Sequence, residues 1–147
     1  MSITMRMDGF DGLLDELKRV AGNAQSRSLI EEALTAAAEP VEQRIKENII
    51  TGRHERSGKM LAAVRVGKLE GHNRWRNAGQ TYRIKVGVHG HEAPHAQLVE
   101  YGHGGPKPAP PHPFMRPAYE ATKDEAMRIA MEKIKAALFE HGGDYEV

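Results

Sequence analysis

The sequence predicts one α+β domain in two layers, a small antiparallel sheet of about three strands covered by N-terminal helices and a long C-terminal helix. Three observations carry that reading. Apolar residues recur at helical spacing between Phe10 and Ile50, alternate strictly with polar ones from Tyr82 to His89, and return to helical spacing after a proline-rich stretch. A chain of 147 residues supports one modest core, so residues 1–147 are read as a single domain.

Asp8 stands where a helix cap belongs, ahead of an apolar face of Phe10, Leu13, Leu14, Leu17, Val20 and Ala21, and Gly22 with Asn23 should end that helix. Ser28 and Glu31 have capping-box spacing and open a second helix with Ile30, Ala33, Leu34, Ala37, Val41 and Ile45 on one side, ending near Ile50. Pro40 lies deep inside it, where a lost amide and a clash with the preceding turn predict a kink or two abutting helices. Residues 51–60 form a charged, glycine-containing loop in which Ser57-Gly58-Lys59 reads as a turn opening a short helical segment.

The first strand is placed over Ala62 to Leu69, with Val64 and Val66 on one face. The polar run from Glu70 to Gln80, which holds Arg74, Trp75 and Arg76, becomes a hairpin loop. Tyr82, Ile84, Val86 and Val88 mark the second strand, whose Val and Ile content would let an open edge template pairing with another chain. His95, Gln97, Val99 and Tyr101 alternate with Ala96, Leu98 and Glu100, which predicts a third strand from about Ala96 to Tyr101. Gly102 to Gly105 end it. Prolines at 106, 108, 110, 111 and 113 then make residues 102–113 an extended, semi-rigid arm pivoting on its glycines. Pro117 is tolerable only in a first helical turn, so the last helix starts near Phe114 and runs to about Glu140, and residues 142–147 fray.

Composition narrows the function. A net charge of +1, from 21 basic against 20 acidic residues, argues against general nucleic-acid affinity and leaves only local contacts. Without cysteine there is no disulfide framework and no thiol catalysis, which suits a reducing cytoplasm. No apolar run approaches the roughly 20 residues of a membrane span, and no signal-peptide core opens the chain, so neither a membrane partner nor export by that route is expected.

Reactive constellations are weak. His89, His91 and His95 lie near Glu92, Glu100, His103 and His112, yet no H-E-x-x-H or other fixed ligand frame accompanies them; solvated or interface histidines are preferred over a small metal-dependent hydrolase. Ser57 lacks a G-x-S-x-G setting, and Ser57-Gly58-Lys59 lacks the glycine pattern of a phosphate loop. No catalytic, cofactor or metal residues are therefore assigned, and the chain is read as no enzyme. Arg74, Trp75 and Arg76 could stack on DNA as a small binding module, but near-neutral charge favours a protein contact. Pro108, Pro110, Pro111 and His112 would form a stiff docking surface that loses little entropy on binding. Glu100 and Arg116 are candidates for an ion pair that pins the proline arm, with Tyr101 and Phe114 packed beneath.

The segments Ala96-x-x-Val99-Glu100-Tyr101-Gly102 and Pro113-Phe114-Met115-Arg116-Pro117-Ala118, with Ser57-Gly58-Lys59-Met60-Leu61 upstream, resemble the tail-completion or head-tail joining proteins of lambdoid long-tailed phages. The resemblance runs roughly from Gly9 to Leu138, and departs from it at Gln97, where an aromatic is common, and His103, where threonine is. It implies a structural virion protein of the neck, assembled in the cytoplasm of a bacterial host. Copies would form a ring, a hexamer, between head-completion or connector proteins and tail tube or terminator proteins, with passing contact to DNA in the channel. It also implies a shared structural role for Glu100 and Arg116.

Overall fold

The computed structural model describes residues 1–6, 11–52, 57–72 and 81–142. Asp8, Phe10, Arg74, Trp75 and Arg76 lie outside the described residues, as does the tail beyond Gly142. Helix α1 runs over Asp11–Thr51 and buries Leu13, Leu14, Leu17, Ile30, Ala33, Leu34, Ala37, Val41 and Ile45, the stripe its spacing marks out. Its one break among the described residues is at Gly22 (φ 76°, ψ 164°), a conformation that a residue without Cβ adopts at little cost. Helical geometry resumes at once, so Ser28 is an exposed mid-helix residue rather than a cap, and Pro40 sits inside the helix while the backbone discontinuity stands at Gly22.

Helix α2 (Lys59–Ala62) follows Gly58, whose φ of 73° makes the expected turn, and buries Met60. The strand predicted over 62–69 is therefore shorter. Ala62 belongs to α2, and β2 covers only Val64–Val66. Strand β3 (Glu70–His72) occupies part of the predicted hairpin loop, and β4 spans Thr81–Val88. A further strand, β1 (Ser2–Arg6), goes unread in the sequence.

β4 is the centre of this sheet. It pairs antiparallel with β1 along one side, and since Arg83 pairs with both Arg6 and Glu70, β3 must share the other side with β2. Val66 faces Val86 while Glu70 faces Arg83, so Gly67, Lys68 and Leu69 span what Ile84 and Lys85 span on β4; the extra residue is a bulge. The sheet is thus three lanes wide. Among the described residues the open edges belong to β1 and to the bulged β2/β3 lane, and the Val- and Ile-rich strand that was expected to offer an edge has none.

Tyr82, Ile84, Val86 and Val88 face the core and meet α1, while Arg83 and Lys85 face away. On that outer side Glu70 accepts from Lys85 Nζ at 2.8 Å and Arg83 Nε at 3.1 Å. The hydrogen bond from Lys85, aided by both positive charges, holds the Glu70 carboxyl below the usual carboxylate range.

Helix α4 (Met115–Glu140) lies antiparallel along α1, with Asn48 beside Phe114, Glu32 3.5 Å from Lys133 and Gln25 2.8 Å from His141. Small residues Ala118, Ala126 and Ala130 of α4 and Ala33, Ala37 and Ala38 of α1 are buried in one apolar core, so the two helices can approach closely. Thr122, the buried hydroxyl in that stripe, donates to the Ala118 carbonyl at 2.7 Å, as a threonine must when no water reaches it. No described helix is long and apolar enough to cross a membrane.

Candidate assembly surface

Between β4 and α4 the chain is helical where a strand was expected. Helix α3 covers Ala96–Tyr101 and buries Ala96 and Glu100, four residues apart, while Gln97, Leu98 and Tyr101 point out. That is one face of a helical turn. The same residues satisfy a period of two on paper, and six positions are too few to separate the patterns.

Glu100 is the joint of this region. Only 5% exposed, its Oε2 accepts the backbone amides of Phe114 at 2.7 Å and Met115 at 3.0 Å, and its Oε1 accepts that of Arg116 at 3.1 Å. The first amides of a helix have no partner within it, and the dipole there favours negative charge. Pro117, next in line, has no amide to satisfy. A carboxylate from α3 and a proline in α4 thus account for the whole first turn, with no capping side chain of its own at Phe114. The ion pair expected between Glu100 and Arg116 is replaced by this contact with the Arg116 backbone. The guanidinium itself is 82% exposed and lies 3.5 Å from Glu120.

Phe114 is fully buried, and its carbonyl accepts from Asn48 Nδ2 at 2.9 Å, which ties the joint to the end of α1. Tyr101 does not pack beneath the loop: it is 68% exposed, next to Leu98 at 50%. Ala118 is buried, whereas Pro113 and Pro117 are exposed.

The proline loop is fastened to α3. His103 and Ala109 exchange backbone hydrogen bonds at 3.0 and 2.9 Å, and the His112 amide donates to the Val99 carbonyl at 2.8 Å. The Ala109 and His112 amides lie between prolines that have none. Gly102, where α3 ends, has φ 70°, and a Cβ there would sit 2.7 Å from the Ala109 carbonyl oxygen and the Pro111 nitrogen. Only glycine suits so close a crossing. Pro106, Pro108, Pro110, Pro111 and Pro113 all remain exposed. The loop is therefore a closed, braced ridge with proline rings on its outside, next to Leu98 and Tyr101. It differs from the freely pivoting arm read from its glycines.

His89, His91 and His95 are exposed around the turn that follows β4, and no three His, Asp or Glu side chains among the described residues gather in a way that could hold a metal ion. Sequence reasoning missed Leu98 as a surface residue. Its signal is the helical spacing of Ala96 and Glu100, which turns Leu98 outward.

On this mixed α+β fold the prolines of the loop, Leu98 and Tyr101 are left exposed. The chain is a member of the family described as "Bacteriophage HK97-gp10, putative tail-component", whose model matches residues 11–102 of the 147. The match takes in α1, the sheet from β2 to β4, and α3 as far as Gly102, and it makes the chain a bacteriophage tail component. No curated protein and no solved structure matches this chain.

Proposed function

We propose that this chain is a structural subunit of the phage neck, forming a ring of identical copies that completes the tail and joins it to the head. Membership of a tail-component family supports the coarse role. The observation that carries the finer one is the braced ridge: an exposed run of prolines beside Leu98 and Tyr101, held by Glu100 on the rigid start of α4. A surface set before contact loses little conformational entropy on docking. Its partner is a head-completion, connector, tube or terminator protein above or below the ring, and the ring has six copies. Arg74, Trp75, Arg76 and His112 add to the contact surface, and DNA passes through the channel. Assembly takes place in the host cytoplasm, and the subunit remains in the virion neck without catalytic, metal or cofactor chemistry.

The test replaces Pro108, Pro110 and Pro111 together with glycine. None of these residues donates a loop hydrogen bond, so the fold should persist, while ordering the looser loop costs up to about 1 kcal/mol per residue. Heads and tails should accumulate unjoined at limiting protein concentration, as counted by negative-stain microscopy, which also counts the copies in the ring. Normal joining by the folded triple variant would refute the docking role.

A further inference from the structure

The two edges of the sheet are built differently. In the β2/β3 lane a bulge at Gly67 to Leu69 breaks the ladder and Lys68 stands on it, devices that keep an edge from pairing. β1 has no bulge, and its one charged residue, Arg6, is its last: Ser2, Ile3, Thr4, Met5 and Arg6 run in uninterrupted register with Gly87, Val86, Lys85, Ile84 and Arg83. The Met1 amine donates to the Val88 carbonyl at 3.1 Å, and the Val88 amide donates to the Met1 carbonyl at 2.9 Å. In an antiparallel ladder bonded positions alternate, so Ile3 and Met5 use their backbone groups on β4, and Ser2, Thr4 and Arg6 direct theirs to the free edge. Ser2 and Thr4 are exposed, and among the described residues no other strand covers this edge.

We infer that β1 of one copy pairs antiparallel with β1 of a second copy, about a two-fold axis at Thr4. The sequence of the strand suits itself in that register. Thr4 faces Thr4 of the second copy, Ser2 faces Arg6, and Ile3 faces Met5. No like charges stand opposite each other, and the outward backbone groups all fall on bonded pairs. Ile3 and Met5, already packed partly against the core, meet across the axis and extend the apolar face of each sheet into the other. A register displaced by one residue would set the free backbone groups of Ser2, Thr4 and Arg6 opposite Ile3 and Met5, whose own groups are already engaged on β4. The contact is small, so pairing appears at high concentration, about 0.1 to 1 mM, and matters most where copies are held together. It is independent of the ring reading, since it uses neither α3 nor the proline ridge.

Thr4→Pro tests it. The amide removed points away from β4, so the intramolecular ladder should survive, as proline survives on the open side of an edge strand. Sedimentation equilibrium of the wild-type full chain should show a monomer-dimer equilibrium, and the variant, with unchanged circular dichroism, should raise the dissociation constant at least about tenfold. A wild type that stays monomeric to about 1 mM overturns the inference, and so does a dimer that Thr4→Pro leaves intact. Should the variant fail to fold, amide exchange in the wild type decides. Thr4 and Arg6 should become protected as concentration rises while Ile3 and Met5 stay unchanged, and the absence of that alternation overturns it equally.

Discussion

The two ends of α4 are held by different means. At its start, three amides converge on the buried Glu100 carboxylate, Phe114 is fully enclosed, and Asn48 reaches over from α1. At its finish, His141 bonds the Ala137 carbonyl through Nδ1 at 2.8 Å, partly buried, and Gln25 through Nε2 at 2.8 Å, exposed, with Phe139 exposed. Hydrogen bonds accessible to water trade one partner for another at little gain, whereas a buried amide deprived of its acceptor has no substitute. The fold is therefore rigid at the end that carries the proline ridge and tolerant at the end that carries none.

Removing the carboxylate should have the largest effect on this contrast. Glu100→Ala leaves the amides of Phe114, Met115 and Arg116 without acceptors in a buried site, and a loss of about 3 to 5 kcal/mol is expected by denaturant unfolding. Amide exchange should rise first at 114–118, at the rigid end, while the far end of α4 keeps its lower protection. A loss below about 1 kcal/mol would mean that water replaces Glu100 and that the two ends are alike.

Gly102→Ala probes the brace beside that joint. It forces a β-carbon against the Ala109 carbonyl and the Pro111 nitrogen at a left-handed φ, and should cost about 2 kcal/mol. Because the strain falls on the 103–109 bridge and the His112 bond, the loop should lose protection at His103, Ala109 and His112 before the helices do. Full protection at those amides would show that the ridge is held by something other than this crossing.

The smallest effect belongs at the other end. His141→Ala removes one exposed and one partly buried hydrogen bond, and the thermal midpoint should move by no more than a change of about 0.5 kcal/mol produces. A shift as large as that of Glu100→Ala would erase the distinction between the ends.

Much of this fold is legible in the sequence because its signals are local. β4 declares itself by alternation, Gly22 and Gly58 mark real backbone turns, the stripe of α1 follows its spacing, and Pro117 marks the first turn of α4 because the missing amide of a proline costs least there. Partnership between Glu100 and the start of α4 is also visible. What the carboxylate grips is not, because helix amides become a convergent set of donors only once the helix exists. Tertiary structure alone settles β1 and α3. Five residues at Ser2–Arg6 become a strand because β4 offers them a ladder, and six residues at Ala96–Tyr101 coil because a helical turn carries Ala96 and Glu100 toward the core and the amides of α4 while turning Leu98, which a strand would put on their side, out to solvent. Segments that short gain too little from their own backbone bonds to choose a conformation, so the contacts they make choose it for them.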